Sequence, residues 1–327
     1  MSNEIKRIGV FSSGGDAPGM NAAIRAVVRT ASYYDLHVYG IYQGYEGMIE
    51  GKIKRIETRD VGNIIHRGGT ILKTARSEKF KTKEGRQAAF ESLQAFNIDG
   101  LVAIGGDGTY TGAKIFGEEF GIPIIGVPGT IDNDLYGTDY TIGYDTAINT
   151  AIEAVDKIRD TADSHNRLFF VEVMGRDTGF IALSTGIGSG AGSIFLPELK
   201  GEMDSLFEVL KKSYKRNKLF NIIIVAEGDN NGGATEVAKA VKEKFPDFDA
   251  RVTIIGHLQR GGSPTCRDRV LASILGASAV EGLLNGHKAE AVGIVNHEIV
   301  YTPFEEAITK HKELSKDLIR LAPILAL

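Results

Sequence analysis

Leu101-Val102-Ala103-Ile104-Gly105-Gly106-Asp107-Gly108-Thr109 is an apolar run of strand length that breaks on paired glycines and delivers a carboxylate just where residues 110–120 take up a helical pattern. A run apolar on consecutive positions reads as a strand buried on both faces, as in a parallel sheet. A parallel strand needs a crossover to its neighbour, and a helix supplies it. The same unit recurs outward in both directions. IGVFSS (8–13), IPIIGVPG (122–129), LFFVEVMG (168–175), NIIIVAEG (221–228) and VTIIGH (252–257) are further short apolar runs ending in Gly or a polar turn. Helical stretches fall at 20–33, 145–164, 202–217, 233–244 and 266–284. The pattern predicts a doubly wound α/β fold. Ligands of such folds bind outside the carboxyl ends of the strands, where the glycines, Asp107, Asp132, Arg176, Glu227 and His257 lie.

With 327 residues the chain exceeds what one hydrophobic core serves, so two lobes sharing a cleft are expected. Its 43% hydrophobic and 24% charged residues are those of a globular protein. The 40 glycines cluster at the ends of apolar runs, where backbone can approach a ligand closely. A net charge of -4 provides no general attraction for nucleic acid, so any anion must be held by local arginines. The single Cys266 excludes an internal disulfide and a Cys-rich zinc site, and points to a reducing compartment. The opening MSNEIKRIGVFSSGG runs straight into a strand, and no apolar run approaches the roughly 20 residues of a membrane span. A cytoplasmic protein with no membrane partner is expected.

Four segments carry chemistry. Ser12 to Asn21 (SSGGDAPGMN) is a strand-to-helix turn whose glycines let backbone N–H groups face an anion, or serve packing alone. It has neither the Lys-Ser/Thr ending of a P-loop nor the GxGxxG spacing of a dinucleotide fold. Gly105 to Thr109 fits a phosphate with Mg2+ beside Asp107, since Mg2+ needs only one or two carboxylates plus substrate phosphates; the bland reading is Asp107 as an N-cap. Pro128 to Asp134, with Tyr136 to Asp139 beyond it, sets Thr130 beside Asp132 and Asp134, offering a hydroxyl donor and a base, or else a solvated loop. The last set is basic: Arg76, Arg167, Arg176, Arg251, His257 and Arg260. Several arginines beside glycine turns suit phosphate, although any one alone reads as a surface ion pair, and His257 alone as a structural hydrogen bonder.

Together, SSGGDAPGMNAAIR, GGT with TAR, GGDGT, PGTIDND, GTDYTIGYDTA, DSHNR, VEVMGRDTG, AEG and GHLQRGGSP resemble the bacterial 6-phosphofructokinase family, in order and across nearly the whole chain. The resemblance implies two similar doubly wound three-layer αβα lobes with the active site in the cleft between them. Residues 1–142 plus 257–306 would form a nucleotide-binding lobe, and 143–256 plus 307–327 a sugar-phosphate-binding lobe. It implies phosphoryl transfer from MgATP to the 1-hydroxyl of fructose 6-phosphate, in a homotetramer with shared sites. Gly15, Arg76, Ser77 and Gly106, Asp107, Gly108 and Thr109 would hold ATP, with Asp107 on Mg2+. Asp132 would be the base, aided by Thr130, Arg76, Arg176 and the Gly15 N–H. Thr130, Ile131, Asp132, Met174, Gly175, Arg176, Glu227, His257, Leu258, Gln259 and Arg260 would receive the sugar phosphate, with Arg167 and Arg251 reaching a neighbouring subunit's site.

Pyrophosphate-using relatives carry Asp after GGD and Lys within PGT; here those positions are Gly108 and Gly129, which favours ATP. A nucleotide or sugar-phosphate sensor is the alternative of a different class, against which Asp107 and Asp132 weigh. An effector pocket is implied by Arg25, Arg29, Arg159, Arg216 and Lys218, with Lys52 for an expected Arg, Gly192 for a Glu and Phe220 for a His. Lys cannot supply the bidentate fork of Arg, so an altered effector response is expected. Ser77-Glu78-Lys79-Phe80 also departs from the family, in which Pro often precedes Glu after TAR.

Overall fold

The computed structural model describes residues 5–165, 167–216 and 222–326. They divide into two compact units, one of residues up to 131, 135–146 and 260–312, the other of 132–134, 147–259 and 313 onward. The cuts read from sequence fall at 142, 256 and 306.

The first unit holds β1 (Arg7–Ser12), α1 (Met20–Tyr33), β2 (His37–Ile41), α2 (Gly44–Ile49), β3 (Ile53–Ile56), α3 (Lys83–Ala95), β4 (Gly100–Gly105), α4 (Asp107–Phe120) and β5 (Ile124–Pro128). The start of α5 (Tyr144–His165) belongs to it too. The second unit carries the rest of α5, β6 (Leu168–Val173), α6 (Phe180–Gly188), β7 (Ser193–Phe195), α7 (Glu202–Arg216), β8 (Ile222–Ala226), α8 (Gly233–Lys244) and β9 (Ala250–Ile254). The chain then returns to the first unit with α9 (Cys266–Leu284), β10 (Glu290–Val295), β11 (Glu298–Pro303) and α10 (Phe304–Thr309), and ends in the second with α11 (Lys316–Leu325).

The first sheet runs β11-β10-β5-β4-β1-β2-β3; β2, β1, β4, β5 and β10 are parallel, and the two edge strands are antiparallel. Alternation along the strands sends Phe11, Leu101, Ala103 and Ile124 to a core with Tyr45, Leu93, Tyr110 and Phe116 of α2, α3 and α4. Helices α1 and α9 pack together over the strands. The second sheet, β7-β8-β6-β9, is parallel throughout, and α7 and α8 cover one face through Leu206, Leu210, Val237 and Val241.

Strands β1, β4, β5, β6, β8 and β9 and helices α1, α4, α5, α7, α8 and α9 stand where the sequence places them. Strands β2, β3, β7, β10 and β11 escape it, as does the half-exposed character of β9. The β3 segment IKRI exposes Lys54 and Arg55 at its centre, and a charged centre suits an edge strand. The two α/β units are also unequal, with sheets of seven and four strands.

Candidate active site

In the first unit, parallel β1, β4 and β5 end on one edge of the sheet, so the turns after Ser12, Gly105 and Pro128 are neighbours. The Ser13 N–H donates to the Ile104 carbonyl at 3.0 Å and the Gly129 N–H to the Gly105 carbonyl at 3.0 Å. Gly105 is required by this closeness: a Cβ there would stand 2.6 Å from the Ser13 carbonyl oxygen and 2.2 Å from Thr109 Oγ1.

Gly106 is the N-cap of α4, and Asp107 is its first helical residue, exposed to solvent. Asp107 thus does not cap the helix, and its carboxylate is presented beside the N-terminal N–H groups. A Cβ at Gly108 would meet no atom within 4 Å, so the space beside the first turn is open. The Thr109 hydroxyl is buried, close to Gly14, and without a hydrogen-bond partner among the described residues. Arg260 lays its guanidinium over Gly15 and donates to the Asp16 carbonyl at 3.3 Å. Arg76 is exposed and makes no hydrogen bond or ion pair among the described residues. The Ser77 hydroxyl, by contrast, is turned to Glu46 Oε2 at 2.5 Å. Thr130 lies against Gly106, with its carbonyl held by the Thr141 hydroxyl at 2.6 Å, and Ile131 is fully buried.

In the second unit the residues that the sequence assigns to the acceptor are held by side chains. Asp132 is 1% exposed, and Arg176 Nε lies 3.3 Å from its Oδ2, balancing a buried charge that would otherwise be costly. Arg176 takes the left-handed conformation, φ 52°, rare for a residue with a Cβ and typical of functional turns. Glu227, just beyond β8, accepts the Gly175 and Arg176 N–H groups at 3.2 and 2.8 Å. Gln259 is fully buried; its Oε1 accepts the Met174 N–H at 2.8 Å, so this side chain braces the strand end. His257 and Leu258 are exposed on the neighbouring turn.

Arg167 and Arg251 both pair with Asp249, at 2.9 Å each, and Arg251 above all holds that carboxyl below its ordinary range. Of the positions that the resemblance assigns to an effector pocket, Arg25 and Arg29 lie one helical turn apart on α1, where burial and the like charge of Arg29 depress Arg25. Lys52 is tied to Glu50 and Gln43, and Arg159 to the Ser189 carbonyl. Arg216 ends α7, its side chain undescribed, while Lys218 and Phe220 lie outside the described residues.

Sequence reasoning missed three kinds of residue. Asp268 of α9, fully buried, accepts from the Gly143 N–H, the Thr146 N–H and the Thr146 hydroxyl at 3.0, 2.8 and 2.6 Å, capping α5 from a distant helix. Burial pushes its carboxyl up, and the bonds from Thr146 and Gly143 oppose that. Thr265-x-x-Asp268 was legible as a capping box, but a carboxylate turned to another helix was not. Asp249 carries no local signal, and neither do Tyr45 and Glu46 of α2.

A family model described as Phosphofructokinase matches residues 7–283. An ATP-dependent 6-phosphofructokinase of Bacteroides thetaiotaomicron is 55% identical over 323 residues, 99% of each chain. Another, of Thermus thermophilus, is 57% identical over 99% of this chain and 100% of its own. The solved structure of phosphofructokinase from Saccharomyces cerevisiae superposes with a TM-score of 0.88 at 40% identity, over 93% of this chain and 45% of that one.

Proposed function

Because this chain belongs to the phosphofructokinase family, we propose that it transfers the terminal phosphoryl group of ATP to the 1-hydroxyl of fructose 6-phosphate, yielding fructose 1,6-bisphosphate and ADP. The observation that carries the reading is the buried Asp132 carboxylate, balanced by Arg176 and placed two residues beyond a Thr130 that touches the helix N-terminus at Gly106. A base needs a fixed place next to the proton it removes. Asp132 accepts the hydroxyl proton as the oxygen attacks phosphorus. Arg76, Arg176, the Thr130 hydroxyl and the Gly15 N–H stabilise the charge on the transferring group. Met174, Gly175, Glu227 and the 257–260 turn position the sugar phosphate.

Gly106 to Thr109 receive the donor phosphates at the start of α4, where N–H groups and the helix dipole favour anions. Asp107 would hold Mg2+ together with those phosphates. An exposed carboxylate at the helix start, with no cluster of three acidic or histidine ligands among the described residues, suits an ion that takes most of its ligands from phosphate and water. When bound, Mg2+ neutralises phosphate charge and orients the donor.

Positions 108 and 129 support ATP over pyrophosphate. A Cβ at Gly108 would meet nothing within 4 Å, so this position leaves open space beside the start of α4 for the longer donor. A side chain at Gly129 would run into Ile104 at 2.9 Å, so no lysine fits there as the strand stands. The enzyme acts as a cytoplasmic homotetramer in which Arg167 and Arg251 serve a neighbouring subunit, and its effector response differs from relatives with Arg, Glu and His in place of Lys52, Gly192 and Phe220.

Initial rates with Mg2+ and fructose 6-phosphate, offering ATP or pyrophosphate and identifying the sugar product, test the reading. Fructose 1,6-bisphosphate is expected with ATP. Turnover with pyrophosphate alone overturns the donor assignment, and no turnover with either overturns the reaction.

A further inference from the structure

Helix α2 touches both of the segments to which the donor site is assigned. Its Glu46 carboxylate is 21% exposed, accepts the Ser77 hydroxyl at 2.5 Å and stands 3.5 Å from Lys79 Nζ. Ser77 Oγ in turn accepts the Phe80 N–H at 3.1 Å, closing a tight turn directly after Arg76. One residue earlier, the Tyr45 hydroxyl donates to the Thr109 carbonyl in the first turn of α4 at 2.6 Å. The Tyr45 ring stacks on Phe80 at 4.0 Å and packs beside Phe11 at 4.9 Å. It also fills the notch over Gly112, where a Cβ would come within 2.9 Å. Burial pushes the phenol up, which keeps it a donor.

The consequence is geometric. Arg76 sits on a segment outside helices and strands, while Gly106 to Thr109 begin a helix. One peptide unit of α2, between Tyr45 and Glu46, ties the two together within the first unit. The anchor for the Arg76 side is built from Glu46 together with Ser77 and Lys79, two residues of the stretch in which the sequence departs from the family after TAR.

We propose that Tyr45 and Glu46 are positioning residues for the donor nucleotide, fixing the Arg76 segment against the first turn of α4. This rests on the reading of those segments as the ATP site. Neither side chain is a catalytic residue. The brace sets the spacing between a cation and a set of N–H donors that grip one polyphosphate, and a misplacement of that order weakens donor binding and slows transfer without touching the sugar site.

The test uses the full-length enzyme carrying Tyr45→Phe, Glu46→Ala or Glu46→Gln. KM for ATP, KM for fructose 6-phosphate and kcat are measured, with MgATP affinity by calorimetry. Tyr45→Phe and Glu46→Ala are each expected to weaken ATP about five- to tenfold, the equivalent of one lost hydrogen bond. KM for fructose 6-phosphate should stay within about twofold of wild type, a split that a general loss of packing would not produce. Glu46→Gln keeps an acceptor for Ser77 and should restore most of the loss. ATP affinity unchanged in both truncations, or equal rises in the two KM values, overturns the proposal. Should Tyr45→Phe fail to fold, the partly exposed Glu46 pair decides alone. A wild type that binds MgATP but leaves fructose 6-phosphate untouched refutes the proposed reaction, and calorimetry still judges the brace. A wild type that does not bind MgATP overturns both.

Discussion

The two units build their candidate sites from different materials. In the first, the candidate donor site is mostly backbone: turns after three parallel strands, the N-terminus of α4, and glycines that leave room. In the second, the candidate acceptor site is mostly side chain: Asp132 with Arg176, Glu227 holding two N–H groups, Gln259 bracing Met174, and Asp249 shared by Arg167 and Arg251. Backbone cradles depend less on any single side chain than on the space left open, and they are intolerant of added bulk. Side-chain constellations behave the other way round, and single replacements expose the difference.

The largest effect is expected in the second unit. Asp132→Asn preserves shape and the contact to Arg176 but removes the base, and turnover should fall by about 10²- to 10⁴-fold with fructose 6-phosphate binding retained. Near-normal turnover would take Asp132 out of the role. The matching blow to the first unit adds bulk and charge: Gly108→Asp places a carboxylate in the space left for phosphate. Like charges at that range cost several kcal/mol, so kcat/KM for ATP should drop on the order of a hundredfold while the melting temperature stays put. An unaffected ATP rate would show that the donor does not use that space.

A smaller effect tests the arginine pair. Asp249→Asn frees Arg167 and Arg251 from a half-exposed carboxylate, and such ion pairs are worth about 0.2–1 kcal/mol. KM for fructose 6-phosphate should shift by no more than about fivefold, and a change in KM for ATP instead would assign the pair elsewhere.

The smallest expected effect concerns Glu202, which opens α7 and accepts the Leu196 N–H at 2.7 Å. Burial, with Asp229 and Glu198 nearby, raises its carboxyl to about 7, only partly offset by that bond. The folded protein therefore keeps a proton that the unfolded chain has released above its ordinary value. Stability falls as pH rises from about 4.5 to 7 and then levels. Glu202→Gln keeps the acceptor without the titration, so its advantage over wild type should grow across that window. Solvent reaches this half-buried group, which limits the gain above pH 7 to about 1–2 kcal/mol. Urea midpoints at pH 5 and pH 8 measure it, and a pH-independent difference would contradict the assignment.

The contrast between the units also explains what could be read in advance. GGDGT after LVAI and SSGGD after IGVF announced the candidate donor side, because glycines at strand ends and a helix start are local features of the chain. PGTIDND announced Asp132 in the same way. What holds Asp132 is Arg176, far along the chain, and nothing near either residue names the other. Tyr45, Glu46, Asp249 and Asp268 were invisible for that reason: each is an ordinary polar residue until the fold sets it against a carbonyl, a hydroxyl, two arginines or the start of α5. Gln259 stands in the motif read for the sugar phosphate, yet its burial turns the side chain inward.

By itself the sequence determined the α/β class, the six long helices, the six mainly apolar strands and the ordered motifs that place the chain in its family. Hydrophobic period, glycine placement and capping are written within a few residues of one another, so they survive without coordinates. Only the tertiary structure decided the strand order, the antiparallel edges β3 and β11, and the pairings that orient each functional side chain. Those depend on contacts between residues as far apart as Asp132 and Arg176 or Thr146 and Asp268, and a contact of that kind exists only once both segments have been packed against the same sheet.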